Sequence, residues 1–193
     1  MAKALVIYAH PVPESLGGAA HKSVVSALNQ KGWEVDDCDL YAEHFDPVLS
    51  AEERRRYHDT DTNTAQVQDY VDRLRAADAL VLCFPVWNFG YPAILKGWFD
   101  RVMLPGVSFD LQDGKLTPCL KNIRKLAAVT TYGSTPWRAF LVGDPPRKLV
   151  KRVVFGTLRP EKTRYIAQYD MNNITPAGCD AFLARVTREM EAF

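Results

Sequence analysis

Ala79-Leu80-Val81-Leu82-Cys83-Phe84-Pro85 runs unbroken through seven apolar residues. A half-buried strand would alternate with polar side chains; a run this short and this apolar is a strand covered on both faces. Such a strand needs helices above and below it, and its flanks supply them. Downstream, Pro92 stands at the favoured first position of a helix whose Ile94, Leu95, Trp98, Phe99 and Val102 fall on one buried side. Upstream, Asn63 or Thr64 can cap a helix carrying the stripe Val67, Tyr70, Val71 and Leu74.

The same alternation continues outward. Residues 3–9 form a short apolar run that stops at His10-Pro11. His21, Val24, Val25 and Leu28 follow at helical spacing, closed by Lys31-Gly32, and residues 33–39 make a second strand. Residues 125–131 and 164–169 read as the fourth and fifth strands. Thr175-Pro176 opens a closing helix with Cys179, Phe182, Leu183, Val186 and Met190 on its apolar side. Between Gly143 and Pro160 the spacing of Leu149, Val150, Val153 and Val154 suggests a short helix. Strands alternating with helices mean βαβ units and a parallel sheet. Five strands leave two doubly wound α/β choices, the flavodoxin-like order 2-1-3-4-5 or a Rossmann half.

A chain of 193 residues fits a single domain spanning 1–193. With 24 Lys+Arg against 23 Asp+Glu, it lacks the basic excess of a nucleic-acid binder or a membrane-surface helix. Its apolar runs stop well short of the ~20 residues of a membrane span, and its start lacks a secretory cleavage pattern. Cysteines 38, 83, 119 and 179 form no C-x-x-C. Cys83 and Cys179 are expected to face the core, and reduced structural thiols imply a cytoplasmic chain.

Ligands in doubly wound sheets sit at the carboxyl ends of the central strands. The loops leaving strands 1, 3 and 4 are the unusual ones here. The first, His10 to Gly18, places Ser15, Leu16 and Gly17 at a helix N-terminus, the natural seat of a phosphate. The second is Pro85-Val86-Trp87-Asn88-Phe89-Gly90-Tyr91-Pro92, and the third is Thr130-Thr131-Tyr132-Gly133-Ser134-Thr135-Pro136-Trp137. Together they describe a site for a flat aromatic ligand with a phosphorylated tail. Aromatic clustering agrees: Phe84, Trp87, Phe89, Tyr91, Trp98, Phe99 and Phe109 crowd one window where uniform scatter gives about three. Trp98 and Phe99 belong to the helical stripe and so to the core. Trp87, Phe89 and Tyr91 lie in the loop, where they serve the ligand, a dimer contact or the packing of the loop itself.

Competing chemistries lack their residues. Neither G-x-G-x-x-G nor a P-loop follows strand 1, and no G-x-S-x-G elbow exists. All four histidines (10, 21, 44 and 58) lie in the first third without ligand spacing, so no metal is expected. The basic group Arg147, Lys148, Lys151 and Arg152 reads as a solvated helix face that could also meet a nucleotide phosphate.

These residues carry a resemblance. Lys31-Gly32-Trp33-Glu34-Val35, Asp39-Leu40-Tyr41-Ala42, Ala9-His10-Pro11 and above all Pro92-Ala93-Ile94-Leu95-Lys96-Gly97-Trp98-Phe99-Asp100-Arg101-Val102 resemble the NAD(P)H:quinone oxidoreductase (DT-diaphorase-like) family across roughly residues 3 to 135. The resemblance implies a flavodoxin-like fold, order 2-1-3-4-5, with bound FAD (alternatively FMN) and a homodimer. It further implies ping-pong hydride transfer from NAD(P)H to a small-molecule, quinone-like acceptor. By position, His10, Ser15, Leu16 and Gly17 would hold the flavin phosphate side, and Pro85, Val86, Trp87, Asn88 and Phe89 would line the isoalloxazine. Thr130, Thr131, Tyr132 and Gly133 would meet its polar edge, and Phe109 would line the substrate pocket.

The chain also departs from that family, which uses a Tyr and a His after its T-T-G-G loop. Here no His follows His58 and the first glycine is replaced by Tyr132. Tyr132 and Trp137 are therefore the candidate catalytic side chains, with solvent as the other proton source. Two rival functions keep the fold: an electron-carrier flavodoxin and an ancillary flavoprotein of a membrane transporter. The near-neutral charge and the insertion 41–62 argue against the first.

Overall fold

A computed structural model describes residues 1–112 and 114–193. Five parallel strands form the central sheet: β1 (Lys3–Tyr8), β2 (Glu34–Asp39), β3 (Ala79–Val86), β6 (Lys125–Tyr132) and β7 (Lys162–Gln168). Their order is β2-β1-β3-β6-β7, which is 2-1-3-4-5 when only these strands are counted. The flavodoxin-like order therefore holds and the Rossmann half does not. β1, β3 and β6 stand in the middle and are buried almost throughout. That is why their sequences are nearly continuous in Val, Leu, Ile and Ala.

Helices cover both faces. α1 (Leu16–Gln30) and α8 (Pro176–Glu191) pack on one side through Val24, Leu28, Phe182, Val186 and Met190. On the other side lie α3 (Gln68–Ala76), α4 (Ala93–Val102) and the helical stretch 145–158, contributing Leu74, Leu95, Trp98, Val150 and Val154. Local chemistry sets the helix ends. The Ser15 hydroxyl accepts from Gly18 N–H at 3.1 Å, and Thr175 caps α8 in the same way ahead of Pro176. Gly32, at φ 80°, ends α1 in the left-handed region.

Several boundaries differ from the sequence reading. Neither Asn63 nor Thr64 caps α3; the cap position is Val67, without a side-chain bond. Asn63 is instead buried and donates to the Tyr57 and Pro105 carbonyls. Pro92 sits one residue ahead of α4 rather than inside it. The expected short helix after Gly143 is longer, running Pro145–Lys148 (α6), Leu149–Val154 as a π-helical turn, and Phe155–Leu158 (α7). Cys179 is only half-buried, whereas Cys38 is fully buried. Between α4 and β6 an antiparallel hairpin, β4 (Phe109–Gln112) and β5 (Lys115–Pro118), adds a second sheet. No helix among the described residues is long and apolar enough to cross a membrane.

The insertion 41–62 is moored to α4. A Cβ at Gly97 would lie 2.2 Å from the Pro47 carbonyl oxygen, so only glycine lets the two segments touch. Beside it, α2 (Ala51–Arg56) begins with a reciprocal capping box between Ser50 and Glu53. Glu53 also accepts from Arg101 Nε at 2.7 Å, both side chains being under one tenth exposed.

Candidate flavin site

The loop after β1 folds back on its own first histidine. Val12 N–H donates to His10 Nδ1 at 3.0 Å, which places the ring proton on Nε2. Burial holds the His10 pKa below the ordinary imidazole value. The Ser15 hydroxyl donates to the Val12 carbonyl at 2.7 Å while capping α1. Glycine is required by contact at Gly18 and favoured by it at Gly17. A Cβ on Gly17 would meet the His10 ring at 3.3 Å, and one on Gly18 would lie 2.2 Å from the Pro13 carbonyl oxygen. With Gly18 N–H taken by the Ser15 hydroxyl and Ala19 N–H by the Ser15 carbonyl, the Leu16 and Gly17 N–H groups are the ones left open at the start of α1. Leu16 differs from its neighbours: its side chain packs toward the core beneath α1.

The loop after β3 turns on two residues. Trp87 and Gly90 exchange backbone hydrogen bonds at 2.9 and 3.3 Å, and between them Asn88 and Phe89 both hold positive φ, 50° and 55°. This is the dihedral pattern of a type I′ turn. Phenylalanine rarely occupies the left-handed region, at a cost on the order of 1 kcal/mol or more. The strain sits where the sequence singled out a binding loop. Trp87 is 42% exposed, its ring edge-on to His10 at 5.9 Å, so two of the loops touch through these rings. Tyr91 does not face the rim. It packs against Phe84 and Phe99 and donates to the Pro146 carbonyl at 3.4 Å.

The third loop corrects the expectation for Tyr132. Its side chain is fully buried and its ring stacks on Tyr169 at 4.4 Å. Its hydroxyl donates to Asp144 Oδ1 at 2.7 Å and lies 2.5 Å from the Tyr165 hydroxyl. Burial, then Tyr165 and Asp144, push its pKa far above the ordinary phenol value. A hydroxyl so committed cannot serve as proton donor at the rim. Trp137 lies 64% exposed on α5 (Pro136–Leu141), stacked on Phe140. Phe109, at the start of β4, is half-buried on the wall of a separate cavity of about 540 Å³, shared with Tyr57, Phe99, Met103 and Leu149. Phe99 packs against the core, edge-on to Trp98, and lines this cavity as well.

The three loops meet on one edge of the sheet. Tyr8, His10, Gly17, Phe84, Pro85, Thr130 and Thr131 surround a narrow recess. Val86, Asn88, Phe89, Gly133 and Ser134 line a cavity of about 210 Å³. Buried polar atoms at this edge lack partners: the Tyr8 hydroxyl, Thr130 Oγ1 and Ser134 Oγ. Each such atom costs free energy unless something donates to it or accepts from it. A Cβ built on Gly133 would meet only the Asn172 amide, at 3.9 Å, so the approach from outside is open. Sequence reasoning did not single out Tyr8 or Ser134 as site residues. Tyr8 ends an apolar strand and gives no polar signal of its own.

The flavodoxin-like fold family matches residues 2–190. The chain belongs to that family. It is similar to NAD(P)H dehydrogenase (quinone) 1 of Rattus norvegicus, with 32% identity over 148 residues, 68% of this chain and 54% of that protein. The chain thus spans about half the length of that relative. Among solved structures, Smu.1420 from Streptococcus mutans superposes with a TM-score of 0.89 at 28% identity, covering 99% of this chain and all of that one. The NAD(P)H:quinone oxidoreductase from Methanothermobacter marburgensis gives 0.86 at 22% identity over 98% of both chains and shares the fold. The resemblance drawn from residues 3 to 135 thus holds.

Proposed function

We propose that this chain is a flavin-dependent oxidoreductase that takes two electrons from NAD(P)H and delivers them to a quinone-like acceptor. One observation carries the reading: three separate loops converge on one sheet edge and leave buried hydroxyls there without partners. The residues fit the group. His10, Ser15 and Gly17, with the open Leu16 and Gly17 N–H groups at the start of α1, suit a flavin phosphate. Pro85 to Phe89 suit the ring, Trp87 and the strained Asn88-Phe89 turn presenting planar and backbone groups to it. Thr130, Thr131 and Gly133 suit its polar edge. Leu16 supports the loop from beneath. The printed activity of the Rattus norvegicus relative supports the pyridine-nucleotide donor and the quinone class of acceptor.

When bound, a flavin supplies the hydride chemistry in both half-reactions of a ping-pong cycle. The protein's share is orientation and charge. The Thr130 and Thr131 hydroxyls and the loop N–H groups would face the polar edge of a bound ring, where preorganised dipoles favour negative charge. With the Tyr132 hydroxyl committed to Asp144 and Tyr165, the proton comes from solvent at the exposed side of the Asn88-Phe89 turn.

The flavin in this reading is FAD, on the match of Lys31 to Val35 and Asp39 to Ala42; FMN is the alternative, because the loop between Ser50 and Asn63 is short. Free cysteines at 38, 83, 119 and 179 support a reducing, cytoplasmic setting. The working unit is a homodimer. α5 exposes Trp137, Phe140 and Leu141 by more than three fifths each, with Val142 beside them, an apolar patch suited to a second copy. Trp137 belongs to that contact rather than to the chemistry.

The test is the visible spectrum of the purified chain, then the mass of the group released on denaturation. Flavin absorbance, and oxidation of NAD(P)H with a quinone, are expected. A colourless chain that takes up neither FAD nor FMN from solution would overturn the reading.

A further inference from the structure

A further cavity, of about 290 Å³, opens at the free edge of β7, lined by Arg147, Arg164, Tyr165, Tyr169, Arg185 and Glu189. Its three guanidinium groups come from three elements. Arg164 belongs to β7, Arg185 to α8 on one face of the sheet, and Arg147 to α6 on the other. Nothing in the flavin reading uses them. The basic group 147–152 is thereby split: Lys148, Lys151 and Arg152 are exposed, but Arg147 turns inward over the Tyr165 ring at 4.8 Å.

Their existing partners leave capacity over. Arg147 Nε lies 3.1 Å from Asp144 Oδ2, and Arg147 Nη2 donates to the Tyr169 hydroxyl at 3.1 Å. Arg164 Nε lies 3.2 Å from Glu189 Oε2. Arg185 donates to the Ala167 carbonyl at 2.6 Å and lies over the Phe182 ring. It has no carboxylate partner among the described residues. All three Nε atoms are buried without an aligned hydrogen-bond acceptor, since the two carboxylates approach off the N–H direction. Three cations thus face two anions; the Arg147 and Arg164 side chains are 39% and 40% exposed, and their Nε atoms and that of Arg185 lack an aligned acceptor.

We infer that this cavity binds the phosphate group of a small ligand. A tetrahedral phosphate presents oxygens in several directions and can meet donors arriving from both faces of a strand, whereas a planar carboxylate serves a single fork. The volume suits a phosphate with part of a sugar and is too small for an extended acidic peptide. The mouth lies beside the flavin loop after β6. Tyr169 stacks on Tyr132, and Asp170 N–H donates to the Ser134 carbonyl at 2.9 Å. A phosphate held there comes either from a free metabolite or from the 2′-phosphate of NADPH.

Calorimetric titration of the full chain, in low-salt buffer without phosphate, separates the outcomes. Inorganic phosphate, adenosine 2′-monophosphate and adenosine 5′-monophosphate are the probes, and Arg185→Ala and Arg164→Gln are the variants. Saturable binding to the wild type, weakened at least tenfold in either variant, is expected. Preference for the 2′-monophosphate, with a KM raised for NADPH but not NADH in Arg185→Ala, assigns the phosphate to the nucleotide. Equal binding of all three assigns it to a free metabolite. Both results support the inference. No saturable binding by the wild type, or undiminished binding in both folded variants, overturns it. The titration needs no bound flavin, so a failed flavin reading and a failed phosphate site are read separately.

Discussion

The Tyr132 hydroxyl donates to Asp144 Oδ1 across 2.7 Å, and Asp144 holds a left-handed backbone at φ 47° as it leads into α6. The end of a buried central strand is thereby tied to the turn that starts the helical cover. Tyr132→Phe keeps the ring stack on Tyr169 but leaves Tyr165 without its short partner and Asp144 without its nearest donor. A loss of about 1–3 kcal/mol follows from unsatisfied buried groups, lowering Tm by roughly 2–12 °C at this chain length. Thermal unfolding checks this. The pH profile of NAD(P)H oxidation should not move, because Tyr132 supplies no proton; a lost basic or acidic limb in Tyr132→Phe would restore it to the chemistry.

Gly18→Ala pushes a methyl group to 2.2 Å from the Pro13 carbonyl oxygen, inside any tolerable contact. The loop between His10 and Ser15 must shift, and with it the cap of α1. Expected are a stability loss of about 1–3 kcal/mol from overpacking and a fall in flavin occupancy, read from the visible-to-ultraviolet absorbance ratio. Gly17→Ala meets only the His10 ring at 3.3 Å, so its loss should be smaller. Equal behaviour of the two variants would contradict the contact argument.

Flavin retention and stability should separate at two tryptophans. Trp87→Ala removes a ring that is 42% exposed at the rim and touches His10 edge-on. Occupancy should drop while the melting point of the flavin-free chain stays within about 1–2 °C, as for a surface change. Trp33 stacks on Phe193 under Lys125, at the far end of the sheet. Trp33→Ala should lower Tm and leave occupancy unchanged. Equal occupancy in the two variants would remove Trp87 from the site.

The central strands were legible because burial on both faces leaves no freedom for polar residues, as in Leu80, Val81 and Leu82. The three candidate loops were legible because glycines, hydroxyls and aromatics cluster after strands 1, 3 and 4. What escaped were residues whose role depends on partners distant in sequence. Tyr132 sits in a hydroxyl-rich loop but meets Asp144 and Tyr165, which no local pattern announces. Arg101 looks like a surface residue until Gly97 brings the 41–50 segment against α4. The β4–β5 hairpin went unread because its strands, Phe109–Gln112 and Lys115–Pro118, are only four residues each. The cap of α3 was misplaced because Asn63 was read as a helix start when its side chain bridges two carbonyls instead.

Glu53 contributes to the loss of stability in acid. Burial raises its pKa, but the Ser50 N–H and hydroxyl and the Arg101 guanidinium outweigh that, so its carboxyl is held below the usual carboxylate range. A carboxylate depressed in the folded state contributes stability that is complete above its unfolded pKa, about 4.3, and is lost as pH falls through the folded value. Urea midpoints should therefore stay level with respect to this group above about pH 5 and decline below it. Glu53→Gln should flatten part of that decline and lower stability at pH 7. Arg101 also donates to the Asp46 carbonyl, so Arg101→Ala strands a buried carboxylate and frees the 41–50 segment, costing about 3–5 kcal/mol at pH 7. In Arg101→Ala the same carboxyl loses its counter-charge and keeps its burial, so its pKa rises and acid should destabilise this variant less than the wild type. Parallel acid curves for wild type and Arg101→Ala would show that the pair does not contribute to the loss in acid.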